Sequence, residues 1–153
     1  EIDLLNWFFG TPKQLWAIGG TYSSLDLDVE DNVNALLKYE SKQGSFPVNL
    51  HMSFTQRPPG RYILIHGENG LLHWDIQEGL RYQNFNTNED DFFSSKEFER
   101  NKMFLDLMSD FLEALESDKT PLTSLYDILG GQLIVLTMKK SLQTGCIEEL
   151  ITL

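Results

Sequence analysis

Residues 61–75 read RYILIHGENGLLHWD, and this pattern decides the fold class. Two short apolar runs, residues 62–65 and 71–74, flank Gly67, Glu68, Asn69 and Gly70. Asn-Gly is a strong hairpin signal, because a type I′ turn needs positive φ at both central residues and these two adopt it cheaply. Strand patterns lie on either side of the hairpin, and helical patterns lie outside those. The sequence therefore predicts an α+β fold, an open, mainly antiparallel sheet of about six strands with helices packed on one face.

The clearest period of two precedes the hairpin. Phe46, Val48, Leu50, Met52 and Phe54 share one face, and Asn49, His51, Ser53 and Thr55 share the other. Such an apolar row needs a cover. Residues 96–116 place Phe98, Phe104, Leu107, Met108, Phe111 and Leu115 at helical spacing, and this amphipathic helix is expected to supply it. Residues 14–23, 32–40 and 79–85 read as further strands, and polar 86–91 as a loop. The opening EIDLLNWFFG has Ile2, Leu5 and Phe9 at helical spacing, with Gly10 as the stop. Near the other end Ser124 and Asp127 resemble a capping box. The helix it introduces runs to about residue 144, is apolar nearly all round and is expected to be buried, with Gly145 at its end. Gly130-Gly131 within it should let a neighbouring element approach closely.

The 153 residues make one domain-sized unit, 1–153, with 41% hydrophobic and 12% aromatic residues to fill a core. A net charge of −11 repels phosphate backbones and argues against nucleic-acid binding. No apolar run approaches the roughly 18 residues of a membrane span. One cysteine, Cys146, forbids an internal disulfide and suits a reducing compartment, so a cytoplasmic location is expected. A helical pattern that starts at Glu1 without a cap or initiator Met reads as cut from a longer protein.

Self-contained chemistry is hard to find. His51, His66 and His73 have no metal-ligand spacing, and no GxSxG, P-loop or GxGxxG occurs. Asp26, Asp28, Glu30 and Asp31 form an acidic run without the ligand order of an EF-hand and read as a solvated loop. His73 and Asp75 share a strand face, either as an orienting pair or as two polar residues in water. Arg57 and Arg61 enclose Pro58-Pro59-Gly60. They suit a carboxylate or phosphate clamp, or else an exposed turn on an acidic surface.

The segments EIDLLNWFFGTP, VEDNVNALLKYE, RYILIHGENGLLHWD and the run from Phe104 to Gly145 occur in an order that resembles the C-terminal domain of the Gfo/Idh/MocA (glucose–fructose oxidoreductase/inositol dehydrogenase) family. The resemblance implies the substrate-binding and oligomerisation domain of an NAD(P)-dependent oxidoreductase acting on a sugar, sugar nucleotide or polyol. It implies a dinucleotide-binding domain N-terminal to this one and absent from this chain. The family's catalytic His would stand immediately before Glu1, and Asp3 matches the acidic residue three positions after it. Asp3, Arg57 and Arg61 are the substrate-binding candidates. No catalytic, cofactor-binding or metal residue is expected within the chain, and NAD or NADP is implied for the parent. Ile63 and Ile65 point one way and Tyr62 and Leu64 the other, so the sheet should be covered on both faces. A homodimer, or higher oligomer, through its open face is expected. The alternative reading is a non-catalytic interaction or dimerisation module with the same sheet.

Overall fold

The computed structural model describes residues 1–123 and 125–150. Among them are α1 (Ile2–Phe9), β1 (Gln14–Gly20), β2 (Asn32–Ser41), β3 (Gly44–Ser53), β4 (Tyr62–His66), β5 (Gly70–Asp75), β6 (Gly79–Asn84), β7 (Asp90–Ser94), α2 (Arg100–Ser117), α3 (Leu125–Thr144) and β8 (Glu148–Glu149). The fold is α+β and every strand pairing is antiparallel, as the sequence predicts. The strands divide into two sheets of four, ordered β3-β2-β1-β8 and β4-β5-β6-β7, rather than one sheet of about six. The chain forms two compact units, Glu1–Thr55 with Asp118–Leu153, and Gln56–Ser117. The first ladder stops at Ser53, and Pro58 and Pro59, which carry no N–H to donate, lie between the two sheets in sequence.

In the first unit the pleat places Leu15, Leu37 and Val48 in one row across β1, β2 and β3, and Ala17, Ala35 and Leu50 in the next. With Val33 and Tyr39 they form the buried face of the sheet, closed by Ile134 and Met138 of α3 and lined by Ile2, Leu5 and Phe9 of α1. Full burial of a side chain the size of Leu15, Leu37 or Ile134 contributes about 1.5–3 kcal/mol, and the two alanines less. The cover of the β3 row therefore comes from α1 and α3. The helix expected to cover it, α2, belongs to the other unit. Phe54 lies past the end of β3 and is exposed.

Tyr39 stacks on Phe46 at 5.5 Å, with Phe9 tilted against Tyr39 and edge-on to Phe46. Gly10 closes α1 at φ +73° by donating its N–H to the Asn6 carbonyl, the stop expected of it. The close approach expected at the glycine pair is also present. A Cβ on Gly130 would lie 2.3 Å from Asn6 Oδ1, and one on Gly131 2.5 Å from Asp3 Oδ1. Asn6 Nδ2 donates to the Asp127 carbonyl at 3.1 Å and fastens α1 there. The Ser124 half of the expected capping box lies outside the described residues. α3 is less buried than expected: Ile134, Met138 and Ser141 are enclosed, whereas Leu136 on its other side is exposed. β8, which the sequence reading missed, pairs only with Gln14 and Leu15. Beyond it Ser141 Oγ accepts the Ala17 N–H at 2.9 Å and donates to the Cys146 carbonyl, so a side chain continues the ladder.

In the second unit the hairpin of β4 and β5 forms as predicted, but not through a type I′ turn. Gly67 N–H donates to the Gly70 carbonyl at 2.8 Å, and Glu68 and Asn69 sit between them without positive φ. The Asn-Gly pair is thus shifted by one residue from the centre of the turn. β7 occupies residues read as loop and after. Asn88 supplies the left-handed residue of the turn that precedes it, at φ +57°. α2 begins four residues later than predicted. Ser95 N–H donates to the Glu78 carbonyl and Ser95 Oγ to the Gln77 carbonyl, which holds this stretch to the β5–β6 turn before helix can start.

Candidate functional site

Alternation along the second sheet gives it two unlike faces. Ile63, Ile65, Leu72, Trp74 and Leu80 share one face by register. The other carries His73, Asp75, Arg81, Phe92 and Ser94. His73, Arg81 and Phe92 lie in one row across β5, β6 and β7, and Asp75, Gly79 and Ser94 in the next. These residues, with Gln77, Glu78, Lys96 and Glu97, line a hollow of about 800 Å³, within the size of ligand clefts.

The hollow is held by its own backbone. Asp75 Oδ1 accepts the N–H groups of Gln77 at 2.7 Å and Glu78 at 3.2 Å, and so closes the β5–β6 turn. Its Oδ2 makes no hydrogen bond among the described residues. Gly79, at φ +126°, sits so near β7 that a Cβ would lie 2.0 Å from the Phe93 carbonyl oxygen. Arg81 lies over the Phe92 ring, 5.9 Å from its centroid, with Nε 3.8 Å from Asp90. His73 meets the edge of Tyr62 at 6.3 Å. The expected shared face of His73 and Asp75 is real, although the two do not bond to each other. The sequence reading placed β6 as a strand but missed the contribution of β7, because it left Asp90 and Asp91 in a loop.

The three predicted site residues fall in both units. Asp3 is exposed on α1, beside Gly131. Arg57 donates to the Gln56 carbonyl at 2.9 Å and precedes a cis peptide bond to Pro58. Arg61 is half-buried and places its guanidinium over Trp74, 5.6 Å from the ring centroid. Each arginine is thus engaged with its own surroundings in the second unit.

The acidic run contains one residue that is not solvated. Asp31 is buried and accepts the Tyr22 and Ser23 N–H groups and the Ser23 hydroxyl, and its own backbone bridges Gly20 and Phe54. The Ser23 hydroxyl, followed by the backbone donors, holds its carboxyl below the usual aspartate range. Glu148 is held low in the same way, by the Lys140 ammonium first and then the Thr144 hydroxyl. Both are fastenings of the fold, and among the described residues no group of His, Cys, Asp and Glu is arranged to hold a metal ion. No described helix is long and apolar enough to cross a membrane.

Residues 1–73 match the family model of the GFO/IDH/MocA C-terminal domain. Over that stretch the chain is a match to the C-terminal domain of the oxidoreductase family whose motifs it resembles. No curated protein matches the sequence. Among solved structures, the WlbA dehydrogenase from Bordetella pertussis in complex with NADH and UDP-GlcNAcA has a TM-score of 0.72 at 19% identity, over 99% of this chain and 42% of that one. Levoglucosan dehydrogenase in complex with NADH and levoglucosan has a TM-score of 0.79 at 14% identity, over 99% of this chain and 48% of that one. An NAD binding oxidoreductase from Klebsiella pneumoniae has a TM-score of 0.80 at 12% identity, with the same two shares. At these identities the likeness is one of fold. The chain spans less than half the length of each of these proteins.

Proposed function

We propose that this chain is the substrate-binding and dimerisation part of an NAD(P)-dependent, cytoplasmic oxidoreductase acting on a sugar, sugar nucleotide or polyol. The observation that carries the reading is the family match over residues 1–73, extended by a fold that covers nearly the whole chain and recurs in NADH-bound sugar dehydrogenases. The chain's own residues do not fit a dinucleotide. A pyrophosphate is held where a glycine-rich turn leads from a strand into a helix N-terminus. Here the chain enters α2 through Ser95-Lys96-Glu97-Phe98-Glu99 and approaches α3 through residues 118–124, neither containing glycine, and Glu1 is the N-cap of α1. The nicotinamide is therefore assigned to a separate domain of the parent. Arg57 and Arg61, in the second unit, are proposed to face the substrate, matching the carboxylate or phosphate of an acidic sugar or sugar nucleotide; Asp3, in the first unit, is proposed as a substrate residue on its match to the family motif alone.

Dimerisation is proposed through the face of the first sheet that lies opposite α1 and α3. Trp16, Ile18 and Leu36 are exposed there, Trp16 directly opposite Leu36 in the ladder, beside Asn34, Asn49 and His51. His51 Nδ1 and Asn34 Oδ1, 2.8 Å apart, keep this polar border ordered.

Reduction of NAD⁺ or NADP⁺ by the complete parent protein, assayed over a panel of sugars and sugar nucleotides, tests the activity. Turnover that falls at least tenfold in an Arg61→Ala parent supports the substrate role, and no turnover with any panel member rejects the reading. Sedimentation equilibrium tests the dimer: a Leu36→Asp chain should fall to the mass of one chain, and a wild-type chain already at that mass rejects the interface.

A further inference from the structure

We propose that α2 pairs with α2 of a second copy of this chain, the two helices antiparallel about a two-fold axis near Ser109, through a seam of Leu105, Met108, Leu112 and Leu115. The pairing stands on residues of the second unit alone and does not rest on the proposed function, whose dimer uses a face of the first sheet.

Spacing along the helix defines the seam. Leu105 and Leu112 stand one heptad apart, as do Met108 and Leu115, which is the a and d spacing of a helix that packs along another helix. Ala114 is the buried residue of α2. At about 100° per residue, Leu105 lies on the opposite side of the helix from Ala114. The side held by the rest of the chain is therefore the side away from the seam. Leu105 is 69%, Leu115 67%, Met108 58% and Leu112 52% exposed, and Phe104 and Phe111 flank them half-exposed. A continuous apolar stripe of this kind marks a surface for association.

Charge decides the occupant and its direction. The first turn of α2 carries Arg100 and Lys102 and no acidic residue, while Asp110, Glu113 and Glu116 fill its second half and no basic residue stands in its last turn. A helix favours the reverse, because its N-terminus is the positive end of the macrodipole. An antiparallel copy answers this imbalance. Lys102 and Glu116 are equidistant from Ser109 and share one flank of the seam, so the axis sets Lys102 of each copy beside Glu116 of the other. On the other flank it brings Phe104 near Phe111 of the other copy. Parallel pairing would bring the basic ends together and the acidic ends together. Lys102 already holds Asp106 at 2.7 Å, in an exposed pair that a second carboxylate can join at little cost.

Area sets the strength. Half or more of each seam and flanking apolar side chain is open to water, roughly 100 Å² apiece and about 1,200 Å² over two copies, the lower edge of specific interfaces. Association is therefore weak, with a dissociation constant on the order of 10–100 µM. At low micromolar concentration α2 behaves as it does in a single chain.

Sedimentation equilibrium of the Leu36→Asp chain, which lacks the proposed first-sheet interface, is the test. Its mass should rise from that of one chain at about 5 µM toward that of two at about 500 µM, a range that brackets the expected affinity. Adding Leu112→Asp should weaken the association about tenfold or more, since a carboxylate then enters the seam. Lys102→Glu should weaken it about five-fold, and Glu116→Lys added to it should restore it, because each flank again pairs opposite charges. All three side chains are exposed, so circular dichroism should stay unchanged. The mass of one chain throughout overturns the pairing, as does association unaltered by Leu112→Asp. A double charge exchange that associates no better than Lys102→Glu alone overturns the antiparallel register. Peroxide oxidation of Met108, followed by peptide mass, should slow as chain concentration rises. Met108 already shielded at about 5 µM in the complete parent protein would give this face to another domain and overturn the second copy. Failure of the first-sheet dimer shows separately, as a wild-type chain with the mass of one chain at that low concentration.

Discussion

The two units of this chain use the same strand alternation to opposite ends. In the first, a four-stranded sheet lays one apolar face under α1 and α3, and Leu15, Leu37, Tyr39 and Ile134 are excluded from water. In the second, no strand residue except Gly79 is fully buried, and α2 exposes Phe104, Leu105, Leu107, Met108, Phe111, Leu112 and Leu115. Fully enclosed apolar side chains are concentrated in the first unit. The lesson is that apolar periodicity marks a surface that wants cover, while the identity of the cover is a separate fact.

The sharpest way to break this contrast is one truncation in each unit. Ile134→Ala should cost about 2–5 kcal/mol, because a fully enclosed side chain leaves a cavity between α3 and the sheet. Leu105→Ala, on a side chain 69% exposed, should stay within about 0.5 kcal/mol. Urea unfolding of the two variants reads both, and equal losses would abolish the distinction.

Within the second unit, Gly79→Ala should destabilise by about 1–3 kcal/mol, since the new methyl meets the Phe93 carbonyl and the residue must hold a positive φ. Hydrogen exchange should show the loss first in amides of β6 and β7. Protection lost evenly over both units would mean that the two are not independently stable.

The first unit has an acid-sensitive fastening at Asp31. Its carboxyl is held below the unfolded value of 3.8, so the folded form retains charge that the unfolded chain has given up. Its contribution is complete above about pH 4 and is lost as pH falls from there through the lower folded value. Asp31→Asn should be less stable at neutral pH and should show a flatter acid limb. A variant whose melting temperature follows the wild-type pH curve in parallel would show that the charge is idle.

The smallest effect is expected at Tyr39. Burial pushes its hydroxyl up to about 12 from 10.0, and this oxygen has no hydrogen-bond partner among the described residues. The unfolded chain ionises first, so stability should fall as pH rises from about 10 toward 12. Tyr39→Phe removes both the alkaline loss and the unsatisfied hydroxyl, and should be neutral or stabilising by up to about 1 kcal/mol at neutral pH. A clear destabilisation would reveal a bond to that oxygen.

Much of the architecture was written locally. Period two in residues 46–52, the stop at Gly10, the turn at Gly145 and the close approach at Gly130-Gly131 are properties of short stretches, and each appears where the pattern puts it. The shared face of His73 and Asp75 follows from the pleat in the same way. The resemblance to the Gfo/Idh/MocA C-terminal domain was likewise carried by residues in order, and the family match covers its first 73 positions. β7 and β8 were not legible. Glu148–Glu149 is a strand only because Leu15 is there to pair with it, and Asp90–Ser94 only because β6 offers an edge.

Sequence by itself determined which residues alternate, where chain direction must change, and therefore the α+β class. Tertiary structure alone decided that the strands form two sheets, that α1 and α3 rather than α2 close the first core, that Asp31 is buried within an acidic run, and that Arg81, Phe92 and Asp75 meet on one face. The physical reason is common to all four. A periodic pattern fixes which way a side chain points relative to its own backbone, whereas burial, charge state and convergence depend on the element that arrives opposite. That element is chosen by hydrogen-bond registers and packing between residues distant in the chain.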